Sequence, residues 1–322
     1  MKYIVTGGAG YIGSHMVKLL QEHNHEVAVI DNFSTGNRES IIDCEIKEID
    51  IINKSAIESF LSKRNFDGVF HFAAKSIVSE SFKFTEIYKK NNIDGTKNLI
   101  ESMKTNNINK LIFSSSASVY GNNSNIPIKE KEKLNPCNPY GNTKVESENI
   151  INKFCNQGDI KAISFRYFNA AGAHPSGKIG ENHNPETHLI PNLMRSVIDE
   201  KHRFKLFGGK ENPTPDGTCI RDYIHVNDIV NAHYIGMQKI SNLKPYNVYN
   251  IGSGKGYSIL EIIKAIESVT KKKVKYIFSD ERKNEPSSLV ADITKIKKEL
   301  NWSIKFDTIK KIIQTAWNWH NK

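Results

Sequence analysis

Two side chains capable of acid–base chemistry stand four residues apart in the segment P-Y-G-N-T-K that begins at Pro139. The segment opens a stretch with helical spacing, so Tyr140 and Lys144 would lie on one face of a helix. A phenol normally has a pKa of about 10, which is too high for a base at neutral pH. A neighbouring ammonium favours the phenolate and lowers that pKa. The pair predicts an acid–base group, although an isolated Y-x-x-x-K on a helix surface is also common.

Hydroxyl side chains follow a predicted strand upstream of this pair, in the segment F-S-S-S-A-S that begins at Phe113. Ligands in open α/β sheets bind outside the carboxyl ends of the strands, so these hydroxyls would face a ligand crevice. Serines after strands often only cap or turn the chain. With Tyr140 and Lys144 on the following helix, we interpret one of these hydroxyls as a hydrogen-bonding partner of the reacting oxygen.

A glycine-rich loop, G-G-A-G-Y-I-G from Gly7 to Gly13, follows the first predicted strand and opens a predicted helix. Small residues there allow a tight turn and a close approach to a pyrophosphate at the helix N-terminus. Asp31 ends the second strand, 18 residues beyond Gly13. A carboxylate there accepts hydrogen bonds from ribose hydroxyls and repels a 2′-phosphate. The pattern predicts NAD rather than NADP, and the positive nicotinamide would join Lys144 in favouring the Tyr140 phenolate.

A second glycine-rich segment, 252–256, also follows a strand-like run. No acidic residue ends a matching second strand, and S-x-x-E from Ser258 to Glu261 is typical of a capping box. We interpret this segment as a structural turn into a capped helix.

The elements that must position these groups alternate along the first half of the chain. Short apolar runs predict strands, and longer amphipathic stretches such as 11–23, 85–105 and 139–156 predict helices. This order favours an α/β fold with a doubly wound parallel (Rossmann) sheet and a smaller α/β C-terminal substrate lobe. We expect an NAD-binding domain over 1–169, with 221–250 returning to it, and a substrate-binding lobe over 170–322.

Composition is that of an ordinary globular protein, with 322 residues, 38% hydrophobic and 25% charged. The formal net charge of +10 suits an anionic partner, although Lys, Asn and Ile are abundant throughout the chain. Blocks of five like charges are absent from the sequence, which argues against a nucleic-acid tail. The four cysteines show no metal-ligand spacing, so we expect reduced thiols and no metal site.

Membrane partners are also not expected from the sequence. No apolar run approaches the roughly 20 residues of a membrane span. The opening strand runs straight into the glycine loop, which leaves no room for a signal peptide. These features predict a cytoplasmic protein.

Seven sequence segments carry a family resemblance: T-G-G-A-G-Y-I-G-S-H from Thr6, H-F-A-A from His71, N-N-I-D-G-T from Asn91, S-S-S-A-S-V-Y-G from Ser114, N-P-Y-G-N-T-K from Asn138, R-Y-F-N-A-A-G-A-H-P from Arg166 and D-G-T-C-I-R-D-Y-I-H-V from Asp216. On these segments the chain resembles the extended short-chain dehydrogenase/reductase family, and within it the UDP-galactose (UDP-glucose) 4-epimerases, nearly from end to end. The first motif and the catalytic motif mark the superfamily, whereas the last two are much more specific to 4-epimerases.

The resemblance implies inversion at C4 of a UDP-sugar. Tyr140 would take the proton from the 4-hydroxyl while Ser116 hydrogen-bonds that oxygen, and hydride would pass from C4 to NAD. The 4-keto sugar would turn over while held by its UDP and receive the hydride on its opposite face. Lys144 would bind the nicotinamide ribose and tune Tyr140. NAD is regenerated and should stay bound, and the resemblance also suggests a homodimer formed through a helical face.

The resemblance further implies two sets of binding residues. The NAD site would contain Gly7, Gly10, Tyr11, Ile12, Gly13, Asp31, Asn32, Asp50, Ile51, Phe72, Ala73, Asn92, Tyr140 and Lys144. The UDP-sugar site would contain Ser116, Tyr140, Tyr167, Phe168, Asn169, His188, Leu189, Lys205, Phe207, Arg221, Arg282, Glu285 and Leu289. A planar guanidinium independently suits phosphate oxygens. Tyr167, Phe168 and Asn169 could equally be core residues at the end of a strand.

Two positions depart from the family pattern. Glu285 stands where the family has an Asp, which puts its ribose contact in doubt. Leu289 aligns with a position where a bulky Tyr restricts the space beside the C2 substituent of the sugar. Leu is smaller than Tyr, so we hypothesise some activity on UDP-N-acetylglucosamine.

Other functions are compatible with the same scaffold. A 4,6-dehydratase typically needs an Asp-Glu pair directly after the catalytic hydroxyl, where this chain has Ala117 and Ser118. Another nucleotide-sugar epimerase remains an alternative. A 4-reductase would more often take NADP, which Asp31 disfavours. A non-catalytic NAD-sensing regulator would not need Ser116, Tyr140 and Lys144, and fold alone does not imply function.

Overall fold

The computed structural model describes residues 1–41, 43–123, 125–209, 212–279 and 286–322. Its strands are β1 (Lys2–Thr6), β2 (Glu26–Asp31), β3 (Glu45–Glu48), β4 (Gly68–His71), β5 (Lys110–Ser116), β6 (Lys161–Tyr167), β7 (Asn169–Ala171), β8 (Phe204–Phe207), β9 (Ile220–His225), β10 (Tyr246–Ile251), β11 (Gly256–Ser258), β12 (Tyr276–Ser279) and β13 (Ser288–Leu289). Its helices are α1 (Tyr11–Glu22), α2 (Lys54–Leu61), α3 (Val78–Lys83), α4 (Thr85–Lys89), α5 (Gly95–Thr105), α6 (Pro139–Asn156), α7 (Leu189–Ile198), α8 (Val226–Lys239), α9 (Ile259–Thr270), α10 (Thr294–Leu300) and α11 (Ile309–His320).

The chain divides into two compact units. The first comprises Met1–Gly121, Lys133–Arg166 and Val230–Tyr249, and the second comprises Asn122–Glu132, Tyr167–Ile229 and Asn250–Lys322. These bounds differ from the expected ones because 122–132 and 221–229 belong to the second unit. β9 pairs there with β7, β11 and β13, and Ile128 donates its backbone N–H to the carbonyl of Val290. The functional assignment of the two domains remains a prediction.

The first unit is built on a seven-stranded sheet with the order β10-β6-β5-β4-β1-β2-β3. β1 pairs in parallel with β2 and β4, β2 with β3, and β4 with β5. Four consecutive residues of β1, from Tyr3 to Thr6, are each at most 1% exposed. A strand buried on both faces is what a parallel sheet covered by helices requires. The predicted α/β fold with a doubly wound parallel sheet is confirmed.

The helix predicted over 85–105 is interrupted. A π-helical turn at Lys90–Asp94 separates α4 from α5 and buries Asn91 and Asn92. The amide nitrogen of Asn92 donates to the hydroxyl of Thr143 at 2.9 Å and to the carbonyl of Lys75 at 3.0 Å. Apolar periodicity cannot show a single wide turn that is stabilised by polar contacts with other segments.

Strand β3 was not predicted from the sequence. Its residues E-I-K-E are largely exposed, and the strand forms one edge of the seven-stranded sheet. Charged residues are typical of edge strands, which they protect against pairing with other chains. An apolar pattern is therefore absent where this strand lies.

The second unit contains a small sheet of β11, β9 and β13, with β7 also paired to β9, and a separate parallel pair of β8 and β12. Its core packs α7, α9 and α11 together through buried aliphatic side chains, including Leu193, Ile262, Ile266 and Ile313. The predicted capping box at the start of α9 is present, because Ser258 and Glu261 cap one another's backbone amides. Among the described helices, none is long and apolar enough to cross a membrane.

The turn at 252–256 is fixed by Asp222 of β9. The Asp222 carboxylate accepts hydrogen bonds from the backbone amides of Ser253, Gly254 and Ala291 at 2.6, 3.0 and 3.1 Å. A Cβ at Gly252 would lie 2.4 Å from Asp222 Oδ2. These contacts account for the second glycine-rich segment as a structural turn.

A buried ion pair joins α6 to β6 in the first unit. Arg166 donates from Nε to Glu148 Oε1 at 2.9 Å and from a terminal nitrogen to Oε2 at 2.6 Å, and both side chains are 5% exposed. Arg166 also donates to the Tyr120 hydroxyl at 2.9 Å, and Ser115 donates to Glu148 at 2.5 Å. The network therefore connects β5, α6 and β6 through hydrogen bonds among buried charged and polar side chains.

We expect Arg166→Met to lower the free energy of unfolding by about 3–5 kcal/mol, because it leaves the Glu148 carboxylate buried without its cation. The double variant Glu148→Leu/Arg166→Met should recover most of that loss, since it removes both charges. Urea denaturation of the three proteins measures the difference. Equal stability of the single and double variants would contradict this interpretation.

Candidate active site

The register of the parallel sheet places four strand ends side by side. Thr6 pairs with both Ile30 and His71, and His71 pairs with Phe113. The glycine loop follows β1, and Asp31 ends β2. Phe72 and Ala73 follow β4, and Ser116 ends β5. The predicted cofactor loop and catalytic hydroxyl therefore share one edge of the sheet, as ligand sites in such folds require.

The glycine loop has the close contacts that only glycine allows. Gly7 has a φ of +69°, and a Cβ there would lie 2.5 Å from the backbone nitrogen of Ala73. A Cβ at Gly13 would lie 2.1 Å from the carbonyl oxygen of Gly7. Gly10 provides an extended N-cap for α1 without a side-chain hydrogen bond. The helix N-terminus is thus bare backbone, which suits a pyrophosphate.

Asp31, at the end of β2, hydrogen-bonds to this loop. Its carboxylate accepts the backbone amide of Ala9 at 2.9 Å on one oxygen and that of Phe33 at 2.8 Å on the other. The side chain is 7% exposed, and burial raises its pKa while the two amides lower it. Each carboxylate oxygen can accept a second hydrogen bond, so capacity for ribose hydroxyls remains.

The other predicted cofactor residues of the first unit lie in segments that contact this loop or the catalytic helix. Asn32 donates to Asp50 at 3.0 Å. Ile51 is 4% exposed, and a Cβ at Gly95 would lie 2.6 Å from its terminal methyl. The remaining members of the predicted set are Tyr11 and Ile12 at the start of α1, Phe72 and Ala73 after β4, and Asn92 in the π-helical turn.

Tyr140 stands in the first turn of α6, which starts where the sequence predicts. Asn138 caps the helix by accepting the backbone amide of Gly141 at 2.8 Å. A Cβ at Gly141 would lie 2.6 Å from the carbonyl oxygen of Ser118. Glycine therefore lets the start of α6 approach the turn after β5. The approach brings the Tyr140 phenol close enough to the Ser116 side chain for Ser116 to lower its pKa.

Burial controls the protonation of the pair. Loss of solvation raises the pKa of Tyr140 to about 12, and the nearby Ser116 side chain lowers it in part. Loss of solvation also lowers the pKa of Lys144 to about 7, against the Glu148 carboxylate, which raises it. The sequence predicted a lowered pKa for Tyr140. In the chain alone the pKa of Tyr140 is raised, because its phenol is buried. The predicted lowering includes the charge of the nicotinamide as well as that of Lys144.

Lys144 points to the end of β5 rather than to the phenolic oxygen. Its Nζ donates to the carbonyl of Ser114 at 2.7 Å and lies 4.8 Å from the Phe113 ring centroid and 5.8 Å from that of Tyr140. The side chain is 3% exposed. The structure thus places Ser116, Tyr140 and Lys144 together at the edge of the sheet.

Three predicted substrate residues of the second unit lie on β9 or on strands paired with it. Asn169, on β7, is exposed and pairs with Tyr223. Arg221, on β9, is 9% exposed and pairs in register with Leu289 of β13. Tyr167 and Phe168 are each 7% exposed, which fits their core interpretation.

Other predicted substrate residues occupy separate elements. Lys205 and Phe207 project from the same face of β8, and α7 begins at Leu189 with His188 as its N-cap. Arg282 and Glu285 lie outside the described residues. Their predicted contacts stay predictions.

Comparison with known proteins identifies the family. The model of the NAD dependent epimerase/dehydratase family matches residues 3–252. The chain belongs to this family. It is 41% identical to the UDP-glucose 4-epimerase of Lactobacillus helveticus over 99% of the chain and 97% of that protein.

Solved structures of the family show the same fold. The UDP-glucose 4-epimerase of Brucella ovis in complex with NAD is 36% identical, with a TM-score of 0.94 over 98% of this chain and 97% of that one. The UDP-glucose 4-epimerase of Bifidobacterium longum in complex with NAD⁺ and UDP is 32% identical, with a TM-score of 0.94 over 100% and 98% of the two chains. The predicted resemblance to the epimerases is confirmed.

His71 and Glu148 of this epimerase-family protein were not among the predicted site residues. His71 is 1% exposed and hydrogen-bonds Thr6 at 2.6 Å and Thr96 at 3.1 Å. Burial, and then the charge of Lys144, lower its pKa to about 3, so the ring is neutral at physiological pH. The motif H-F-A-A was visible in the sequence. The spacing of Glu148, four residues after Lys144, was a further signal.

We expect stability to fall as the pH drops below about 6.5, because the unfolded chain then protonates His71 and the folded protein does not. The contribution of neutral His71 to the free energy of unfolding is complete above pH 6.5. It decreases by about 1.4 kcal/mol for each pH unit between pH 6.5 and about pH 3. Urea denaturation between pH 5 and 8 should show a shallower slope for His71→Asn than for the wild type. His23→Asn, which changes an exposed ring, is the control, and parallel curves for wild type and His71→Asn would refute the assignment.

Proposed function

We propose that this protein is an NAD-dependent isomerase that interconverts UDP-glucose and UDP-galactose by inversion at C4 through a 4-keto intermediate. The observation that carries the proposal is the convergence of Ser116, Tyr140 and Lys144 at the sheet edge, where the Ser116 side chain lowers the pKa of the Tyr140 phenol and Lys144 Nζ lies 5.8 Å from its ring centroid. Full-length similarity to UDP-glucose 4-epimerases supports the same reaction. Related structures that contain NAD support the cofactor.

The residues of the first unit fit NAD. The bare backbone of the Gly7–Gly13 loop leaves space that a Cβ would fill, and Asp31 retains acceptor capacity for ribose hydroxyls. A buried carboxylate at this point also disfavours the 2′-phosphate of NADP. When bound, NAD supplies the oxidation of C4 and the return of the same hydrogen.

The chain's own groups move the proton. Tyr140 accepts the proton of the 4-hydroxyl and later returns it, and Ser116 hydrogen-bonds the reacting oxygen. Positive charge beside the phenol is needed, since burial alone holds its pKa near 12. Lys144 and the oxidised nicotinamide supply that charge, and Glu148 favours the charged form of Lys144.

We propose that the second unit binds the UDP moiety. Arg221 offers a guanidinium suited to phosphate oxygens, and Asn169 is exposed on β7, next to β9. The further members of the proposed set are Tyr167, Phe168, His188, Leu189, Lys205, Phe207, Arg282, Glu285 and Leu289. The sugar remains tethered through its UDP while the keto group presents its other face.

Two rival functions fit the residues less well. A dehydratase would need acidic groups at Ala117 and Ser118, and Ala117 is instead a buried residue of a 3-10 turn. A regulator without turnover would not need Ser116, Tyr140 and Lys144 in one place. The epimerase is therefore the better match.

We further propose a cytoplasmic homodimer. Exposed apolar side chains lie on α3, α4 and the residue between them: Val78, Phe82, Phe84 and Ile87. An apolar helical face of this kind fits association with a second copy. Light scattering after gel filtration should give twice the chain mass, and a monomer would reject the dimer without affecting the proposed reaction.

The proposed reaction is tested by incubating the purified protein with UDP-galactose and without added NAD. Formation of UDP-glucose with no accumulation of NADH is expected, because the cofactor is regenerated in each cycle. The absence of conversion, even with NAD supplied, would reject this substrate.

We expect Tyr140→Phe to lower kcat by about 10²–10⁴-fold with little change in KM, because proton transfer is lost while binding remains. Steady-state assays with UDP-galactose measure both parameters. Tyr234→Phe is the matched control, since that hydroxyl contacts His25 just before β2, at the amino end of a strand. Equal losses in both variants would contradict the role of Tyr140.

We also propose activity on UDP-N-acetylhexosamines. Leu289 pairs in register with Arg221, and Leu is smaller than the Tyr that restricts the space beside the C2 substituent in the family. Leu289→Tyr should lower conversion of UDP-N-acetylgalactosamine by at least about 10-fold and spare UDP-galactose. Leu289→Met, which conserves volume, should retain both activities. Failure of the wild type to epimerise the N-acetyl sugar at high enzyme concentration would reject the idea.

A further inference from the structure

Four side chains with metal-ligating groups converge in the segment 181–188 of the second unit. They are Glu181, His183, Glu186 and His188, and one ligand atom from each lies within 4.8 Å of those of the others. The pattern E-x-H-x-x-E-x-H contains no cysteine, and the sequence alone predicted no metal site. The cluster has no part in the proton transfer proposed above.

The centre of the cluster is the carboxylate of Glu181. Its side chain is 4% exposed, and a buried carboxylate requires a compensating cation. In the described chain its ion-pair partners are both imidazoles. Nδ1 of His183 lies 3.3 Å from Oε1, and Nδ1 of His188 hydrogen-bonds the same oxygen.

The separations between the ligand atoms of these side chains suit a small cation. The rings of His183 and His188 meet edge to face, with centroids 5.1 Å apart and planes at 86°. Glu186 Oε2 lies 3.7 Å from His183 Nδ1, and Oε1 accepts the backbone amides of Thr187 and His188. Ligand atoms around tetrahedral zinc stand about 3.4 Å apart, given bonds of about 2.0–2.2 Å. The separations of 3.3 and 3.7 Å are close to this value, and the ligand atoms of all four side chains lie within 4.8 Å of one another.

The backbone of the segment is held at both ends. Trp319 donates its indole N–H to the carbonyl of Glu181 at 2.9 Å, and a Cβ at Gly180 would lie 2.4 Å from the Trp319 ring. Asn192 of α7 donates to the carbonyl of Glu186 at 3.2 Å and to that of His188 at 2.9 Å. The ligands are therefore arranged before a cation arrives, which favours binding.

We propose that Glu181, His183, Glu186 and His188 bind one divalent cation, with Zn²⁺ as the preferred ion. Two imidazoles and two carboxylates form a donor set that suits zinc, whereas Ca²⁺ and Mg²⁺ prefer oxygen ligands alone. Two carboxylates balance the charge of one divalent cation. Bound at His188, it fixes the start of α7.

Isothermal titration of the metal-depleted full chain with ZnCl₂ tests the site without any assay of activity. One zinc per chain is expected, and zinc should raise Tm because it binds the folded state. His183→Gln and Glu186→Gln should each lower the affinity by at least about 10-fold. His202→Gln, which changes a histidine of the same unit outside the cluster, should bind zinc as the wild type does.

Cobalt provides an independent measure of geometry. Co²⁺ at the wild-type site should give the strong visible absorption of a tetrahedral complex, and His183→Gln should lose it. Equal zinc binding by the wild type, His183→Gln and Glu186→Gln would overturn the proposal, as would no uptake by the wild type at micromolar zinc. Far-UV circular dichroism confirms that the variants compared are folded. None of these outcomes depends on the proposed epimerase reaction.

Discussion

The hydrogen-bond register of the parallel sheet is the constraint on which the rest of the first unit depends. Thr6 stands opposite both Ile30 and His71, so the strands β1, β2 and β4 end at one edge. The residues of the proposed cofactor site depend on that alignment, because the ends of these strands and the loops after them carry the glycine turn, Asp31 and the segment at Ala73. A slip of one residue in any pair would turn each buried side chain to the opposite face. Because β1 is buried on both faces, such a slip would require repacking on both sides of the sheet.

The protonation states of Tyr140 and Lys144 are the second condition for the proposed proton transfer. Burial by itself opposes the reactive state, since it raises the pKa of Tyr140 to about 12 and lowers that of Lys144 to about 7. Glu148 counters the effect on Lys144 and is itself held by Arg166. The ion pair thus links stability to the charge of the active site. We propose that the phenol becomes a base only when positive charge from Lys144 and the cofactor adjoins it, which would tie proton transfer to cofactor binding.

Local patterns explain which features the sequence predicts. The glycine loop, the capped start of α6 and the capping box at Ser258 depend on residues within a few positions, and each lies where it was expected. The π-helical turn at Asn92 depends on Thr143, 51 residues away, so periodicity could not show it. The raised pKa of Tyr140 in the chain alone was not predicted, because sequence spacing reveals a charged neighbour but not the loss of water. Convergence of side chains on Glu181 likewise needed the folded loop.

The most direct test of the central claim uses UDP-galactose that carries deuterium at C4. The protein is incubated with it in unlabelled water, without added NAD, and the UDP-glucose formed is analysed by mass spectrometry and NMR. Deuterium is expected to stay at C4 of the product, because the hydrogen would leave to the bound cofactor and return without contact with solvent. Loss of the label to water would mean that the C4 hydrogen leaves as a proton, and would contradict a redox epimerisation through bound NAD.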